Sequence, residues 1–159
     1  MKKLLLLFIL TLSVMMEVNA QEKKIELSSE KIGSISCKYN KLINLESKDT
    51  TFYLILLFQN VHYSSIIDTK AVMFTDQVNL DEFIKDLKTA LPEMGTKVSI
   101  NWSRDLYSLS LHDFSAGLYL SEKSTEGSGY TVLNKKGVEK LIAWLETIHM
   151  GNGQLNTKS

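Results

Sequence analysis

The sequence predicts an α+β domain: a twisted antiparallel sheet of about six to eight strands with two helices packed on one face. Three observations lead there. Two stretches, 78–92 and 134–151, repeat apolar residues at helical spacing. Short runs elsewhere alternate apolar and polar residues, with gaps of hairpin size between them. One run, TFYLILLFQ at 51–59, sets seven apolar side chains between Thr51 and Gln59.

The chain opens on Lys2 and Lys3, followed by the apolar run Leu4 to Met16. Val18 and Ala20 then stand three residues and one residue before a cut ahead of Gln21. That layout predicts a signal peptide over 1–20, too short and wrongly flanked for a membrane-spanning helix. A lipid anchor does not fit, because the only cysteine, Cys37, lies well beyond the cut. The domain is then 21–150, and 151–159 (GNGQLNTKS) reads as a flexible tail.

GSISCKY, at 33–39, is the first strand signal and puts Ile35, Cys37 and Tyr39 on one face. A lone cysteine in an exported chain makes no internal disulfide, so Cys37 reads as a small buried apolar side chain. The 51–59 run is far short of the roughly twenty apolar residues of a membrane helix. Read as a strand, it points Phe52, Leu54, Leu56 and Phe58 one way and Tyr53, Ile55 and Leu57 the other. Both rows are apolar, so both should be buried. Two helices cover one face of a sheet, and the second row needs another cover, within the chain or from a partner.

TKAVMFT (69–75) is the next strand, and VNLDEFIKDLKTALP (78–92) the first helix. Leu80, Phe83, Ile84, Leu87 and Leu91 form its stripe. Asn79 and Glu82 suggest a capping box, Val78 and Phe83 a hydrophobic staple, and Pro92 the stop. TKVSINW, LYSLSLH, AGLYLS and GYTVL follow as strands. LYSLSLH is the clearest, with Tyr107, Leu109 and Leu111 on one side and Ser108 and Ser110 on the other. That pattern leaves one wet face and favours antiparallel pairing. SEKSTEGSG (121–129) is a polar loop before the last strand. In the second helix Val138, Leu141, Ile142, Leu145 and Ile148 form the stripe, with Asn134 as cap and Gly151 as stop. Strands followed by VNLDEFIKDLKTAL echo strands followed by VLNKKGVEKLIAWL at an offset of 54 residues, as two β-β-β-α halves would.

Eighteen basic residues balance eighteen acidic ones. Without residues 1–20 the counts are 16 and 17, so no overall field gathers polyanions, and nucleic acid is not an expected partner. All but one of the basic residues are lysine, the exception being Arg104. Lysine and asparagine richness with a single proline suits an AT-rich bacterial source.

No nucleotide loop, zinc-protease helix, paired CxxC or nucleophile elbow is present. The three histidines, His62, His112 and His149, are scattered, so no metal site and no cofactor are called for. His149 is expected at a helix C-terminus, where positive charge is favourable. His112, Asp113 and Ser115 supply base, orienter and nucleophile types within LHDFS, though a hairpin turn uses the same residues. Lys135, Lys136 and Gly137 stand at a predicted helix start, which suits an anion. Trp102, Tyr107, Phe114 and Tyr119 are aromatic and near one another in sequence, able to rim a surface or to pack under helices.

The expectation is an exported, periplasmic or secreted, non-enzymatic binding or assembly module. It would work by self-association or with a protein partner, without membrane contact once the signal is removed. The alternative is a small extracytoplasmic hydrolase or an anion- or ligand-binding domain built on His112 and Asp113, or on Lys135 and Lys136.

Overall fold

The computed structural model describes residues 22–62, 68–123 and 129–151. The predicted signal peptide, and the predicted tail beyond Gly151, lie outside the described residues. The element order is β1 (Glu22–Ile32), β2 (Ile35–Asn44), β3 (Thr50–Gln59), β4 (Thr69–Phe74), α1 (Gln77–Glu93), β5 (Ile100–Ser103), β6 (Tyr107–Leu111), β7 (Gly117–Glu122), β8 (Tyr130–Asn134) and α2 (Lys135–Leu145). The α+β class is as predicted. The strands, however, form two four-stranded antiparallel meanders, β1-β2-β3-β4 and β5-β6-β7-β8, instead of one sheet.

The break between the sheets has a local cause. At the end of β3 the ladder gives way to a side chain. Asn60 is buried, and its Oδ1 accepts the backbone N–H groups of His62 and Tyr130, while its Nδ2 donates to Asp68. The Val61 N–H reaches across to the Tyr130 carbonyl, at 2.9 Å. A backbone bond and an amide thus join the sheets at a corner, the Ser34 and Thr131 hydroxyls pair nearby, and Lys70 adds ion pairs to Asp68 and Glu122.

Each meander runs into a helix, so the chain is two β-β-β-β-α halves, one strand longer per half than the sequence echo suggests. The helix caps set the offset at 58 residues, not 54. Asp76 accepts the Asn79 N–H at 2.8 Å, and Asn134 accepts the Gly137 N–H at 2.8 Å. Aligned on these caps, the buried Leu80, Phe83, Ile84 and Leu87 of α1 match Val138, Leu141, Ile142 and Leu145 of α2. Both stripes enter one core shared with the inner rows of both sheets. No helix of the described residues is long and apolar enough to cross a membrane.

The helix ends differ from expectation. Asp76, not Asn79, caps α1, and Asn79 supplies the N–H that the cap receives. Val78 is 78% exposed and staples nothing. Pro92 lies inside the last turn, and Gly95, at φ +85°, turns the chain beyond it. The second helix stops at Leu145. The N–H groups of Thr147 and Ile148 close tight i to i−3 bonds on Trp144 and Leu145, and Ile148 enters the core. The following residues strap across the N-terminus of α1: Tyr39 Oη donates to the His149 carbonyl at 2.6 Å, and the Met150 N–H donates to Gln77 Oε1 at 2.8 Å. His149 therefore sits past the helix, in the strap.

Candidate functional site

The residues with catalytic side chains do not converge. His112 and Asp113 are exposed at the β6–β7 turn. The His112 ring meets Tyr119 edge-on, with centroids 4.9 Å apart. Ser115 Oγ donates to the Gly117 carbonyl at 2.8 Å and accepts the Gly117 N–H at 3.1 Å, so the hydroxyl serves the turn. At the start of α2, Lys135 and Lys136 are exposed. Gly137 is buried with its N–H already taken by Asn134, and a Cβ there would press on Leu133 at 3.3 Å. Its smallness serves packing. Among the described residues no group of three His, Cys, Asp or Glu gathers as metal ligands would.

The predicted aromatic group divides. Tyr107 is buried and packs edge-on against Phe83, Trp102 is half-buried on the core side, and Tyr119 lies on the outer face of the second sheet. Phe114 is 67% exposed at φ +55°, its N–H held by the Thr96 carbonyl at 2.9 Å.

Cys37 and Asp86 are two of the polar groups buried in the domain. Cys37 is fully buried. Burial, and secondarily the charge of Glu30, pushes its thiol up to about 12, so it stays protonated and unreactive at ordinary pH. Asp86 is buried on α1 and takes a two-pronged contact from the sole arginine: Arg104 Nε and Nη2 each donate at 2.8 Å. Tyr107 Oη donates to the same carboxylate at 3.0 Å, and Glu82 holds Arg104 Nη1 at 3.1 Å. The hydrogen bonds to Asp86 raise the Arg104 value, while burial and then Asp86 raise that of Tyr107. This satisfied cluster ties α1 to the second sheet. At the equivalent position of α2, Trp144 Nε1 reaches Ser28 of β1 at 3.3 Å. Each helix thus reaches over to the sheet of the other half.

The surface that stands out is the outer face of the first sheet. The β2–β3–β4 register puts Ser36, Lys38 and Asn40 beside Leu57, Ile55 and Tyr53, and Leu57 and Ile55 beside Ala71 and Met73. The inner row of β3 is buried at Leu54, Leu56 and Phe58, as predicted. The outer row is not: Tyr53, Ile55 and Leu57 are half-buried, and Met73 is 49% exposed. Within one chain the expected burial is complete for the inner row and only partial for the outer one, because both helices lie on the inner side. Asn40, on the same outer face, is fully buried among its neighbours, and its Oδ1 has no hydrogen-bond partner. Lys24 stands 5.7 Å over the Tyr53 ring.

The second sheet is the contrast. Its outer face carries Asn101, Ser103, Ser108, Ser110 and Ser121, with Tyr119, Tyr130 and the 38% exposed Val132 on β7 and β8. Along β5 and β6 that face consists of amides and hydroxyls. We find no matching family model, no similar characterised protein and no similar solved structure.

The sequence reading missed Asp86 and Asn40. A signal for the first was present: a carboxylate between Phe83 and Leu87 on the helix stripe, in a chain with one arginine among lysines. Arginine offers a planar fork that lysine lacks, so its single use marks a two-pronged contact. Asn40 gave no signal, since a polar residue on a strand reads as exposed.

Proposed function

We propose that this protein is an exported, non-enzymatic binding or assembly module that works through the outer face of its first sheet. The carrying observation is the contrast between the two outer faces. Two sheets of the same build lie over one core, and the third strand of the first turns Tyr53, Ile55 and Leu57 outward where that of the second turns Tyr119 and Ser121. Monomeric proteins rarely leave a contiguous apolar patch in water without an interaction to serve. The charged residues beside the patch, Lys24, Glu26, Lys31 and Lys38, give it the polar rim of an interface.

The test compares Ile55→Asp with Leu56→Asp. Neighbours in sequence, they project to opposite faces of β3. Ile55→Asp is expected to fold, and Leu56→Asp to lose the native state, as read by circular dichroism. Loss of the fold in both would mean that the outer row is internal core, and the reading would fall. Export rests on residues 1–20 and is tested by N-terminal sequencing of the purified protein. A start at Gln21 supports it, and a start at Met1 in material taken from outside the cell overturns the cleavage.

A further inference from the structure

We infer that the occupant of this face is a second copy of the same chain, the two first sheets packing face to face about a two-fold axis. The inference rests on the reading of that face as a binding surface. Three observations favour a copy.

The first is size. Four strands about 4.8 Å apart and about nine residues long at about 3.3 Å each present roughly 600 Å² before side-chain relief. That approaches the roughly 800 Å² per partner of a standard specific interface. The apolar centre occupies β3 and β4, and the rim lies on β1 and β2.

The second is charge. The register places Glu22, Lys24, Glu26 and Lys31 of β1 on the outer face beside Lys38 of β2, with Lys38 paired to Glu26 at 3.0 Å. A partner of one sign, such as a polyanion or an anionic lipid surface, would meet Glu22 and Glu26 as well as the lysines. A second copy carries the same mixture, and a two-fold axis can set the acids of one rim against the lysines of the other.

The third is the state of the edge. β1 is a long edge strand of the kind that pairs with another strand. It carries a bulge between Glu26 and Ser28, and Lys23, Lys24 and Lys31 along its length. Bulges and lysines are devices against edge-to-edge pairing. The edge is guarded and the face is not. Twisted sheets stack with their strands about 30° apart, leaving room for Tyr53, Ile55 and Leu57 to interdigitate with their counterparts.

Sedimentation equilibrium on the purified protein tests the inference. The wild type is expected to be a dimer, and Ile55→Asp a folded monomer, with the dissociation constant raised about thirtyfold or more, the size of a hot-spot loss. Met73→Lys, at a half-exposed position of β4, serves as a second variant and is expected to weaken the dimer in the same direction. A monomeric wild type beside a folded Ile55→Asp would remove the second copy while leaving the binding face in place. A dimer unaffected by either substitution would place the contact elsewhere and overturn the inference. Loss of the fold in Ile55→Asp would instead sink the binding face itself, and the dimer with it.

Discussion

Replacing Leu56 by Asp and Ile55 by Asp should differ in cost by several kcal/mol, although the residues are adjacent. Leu56 is fully buried, paired with Cys37 on β2 and Val72 on β4. Losing a buried leucine side chain forfeits about 1.5–3 kcal/mol. The carboxylate that replaces it must go unsolvated or take up a proton, which adds about 2 kcal/mol or more. The sum, about 3.5–5 kcal/mol or more, is a large part of the roughly 5–15 kcal/mol that holds a domain together. Ile55 is half-buried and pairs with Lys38 on β2. Its loss costs about 1 kcal/mol of apolar contact, and a carboxylate opposite a lysine returns about 0.2–1 kcal/mol. The net effect is under about 1 kcal/mol, a midpoint shift of less than about 0.5 M in urea. Melts followed by circular dichroism, in protein dilute enough to be dissociated, measure both, since association would add stability by mass action. Equal losses, or a larger loss at Ile55, would refute the assignment of the two faces.

Two other predictions concern the frame. Asp86→Ala should cost about 3 kcal/mol in urea melts, the low end for a broken buried pair, because Arg104 keeps Glu82 and about a third of its side chain in water. The double variant Asp86→Leu with Arg104→Met should recover most of that loss, and additive losses would show that the pair is not coupled. Asp76→Ala should cost about 1 kcal/mol by removing the α1 cap. Hydrogen bonds from the Asn79 backbone, and then its side chain, hold the Asp76 carboxyl below its ordinary value. The cap therefore contributes fully above the unfolded-chain value of about 4 and fades as pH falls through the lower folded value. The gap between wild type and Asp76→Ala should narrow as pH falls below the unfolded-chain value of about 4, and a gap that stays constant would remove the charge from the explanation.

The sequence shows the helices and strands more readily than it shows their partners. The stripes of α1 and α2 were legible because burial on one side imposes helical spacing. The rows of β3 and β6 were legible because a strand alternates. The division into two sheets was not, since an antiparallel strand has the same pattern whichever strand lies beside it. Asn60, which ends the ladder at the corner, looks like any loop asparagine. The end of α2 was misplaced for a similar reason: Ile148 continues the stripe of a helix and equally fills the core from a strap. At the candidate site, the excess of apolar surface on 51–59 was legible, and its openness was not. That depended on where the helices lie, which is tertiary information.

The two halves solve one folding problem twice, and their differences separate what the fold needs from what it does not. In the third strand of each half the inner rows agree: Leu54, Leu56 and Phe58 in β3, Leu118 and Leu120 in β7. The outer rows part. β3 has Tyr53, Ile55 and Leu57, where β7 has Tyr119 and Ser121. In the second strands the outer rows are polar in both halves, Ser36 and Lys38 against Ser108 and Ser110. In the fourth strands the first half has Ala71 and Met73, and the second has Tyr130 and Val132. A serine-rich outer row is thus compatible with this architecture, as the second half demonstrates on the same core. Ile55 and Leu57 bring no necessity to the fold that Ser121 fails to meet, yet they carry the aggregation hazard of an apolar sheet face. A row that the fold can do without, held at that cost beside a guarded edge, is best explained by contact with another surface. It is at Ile55, Leu57 and Met73 that such a contact should be sought.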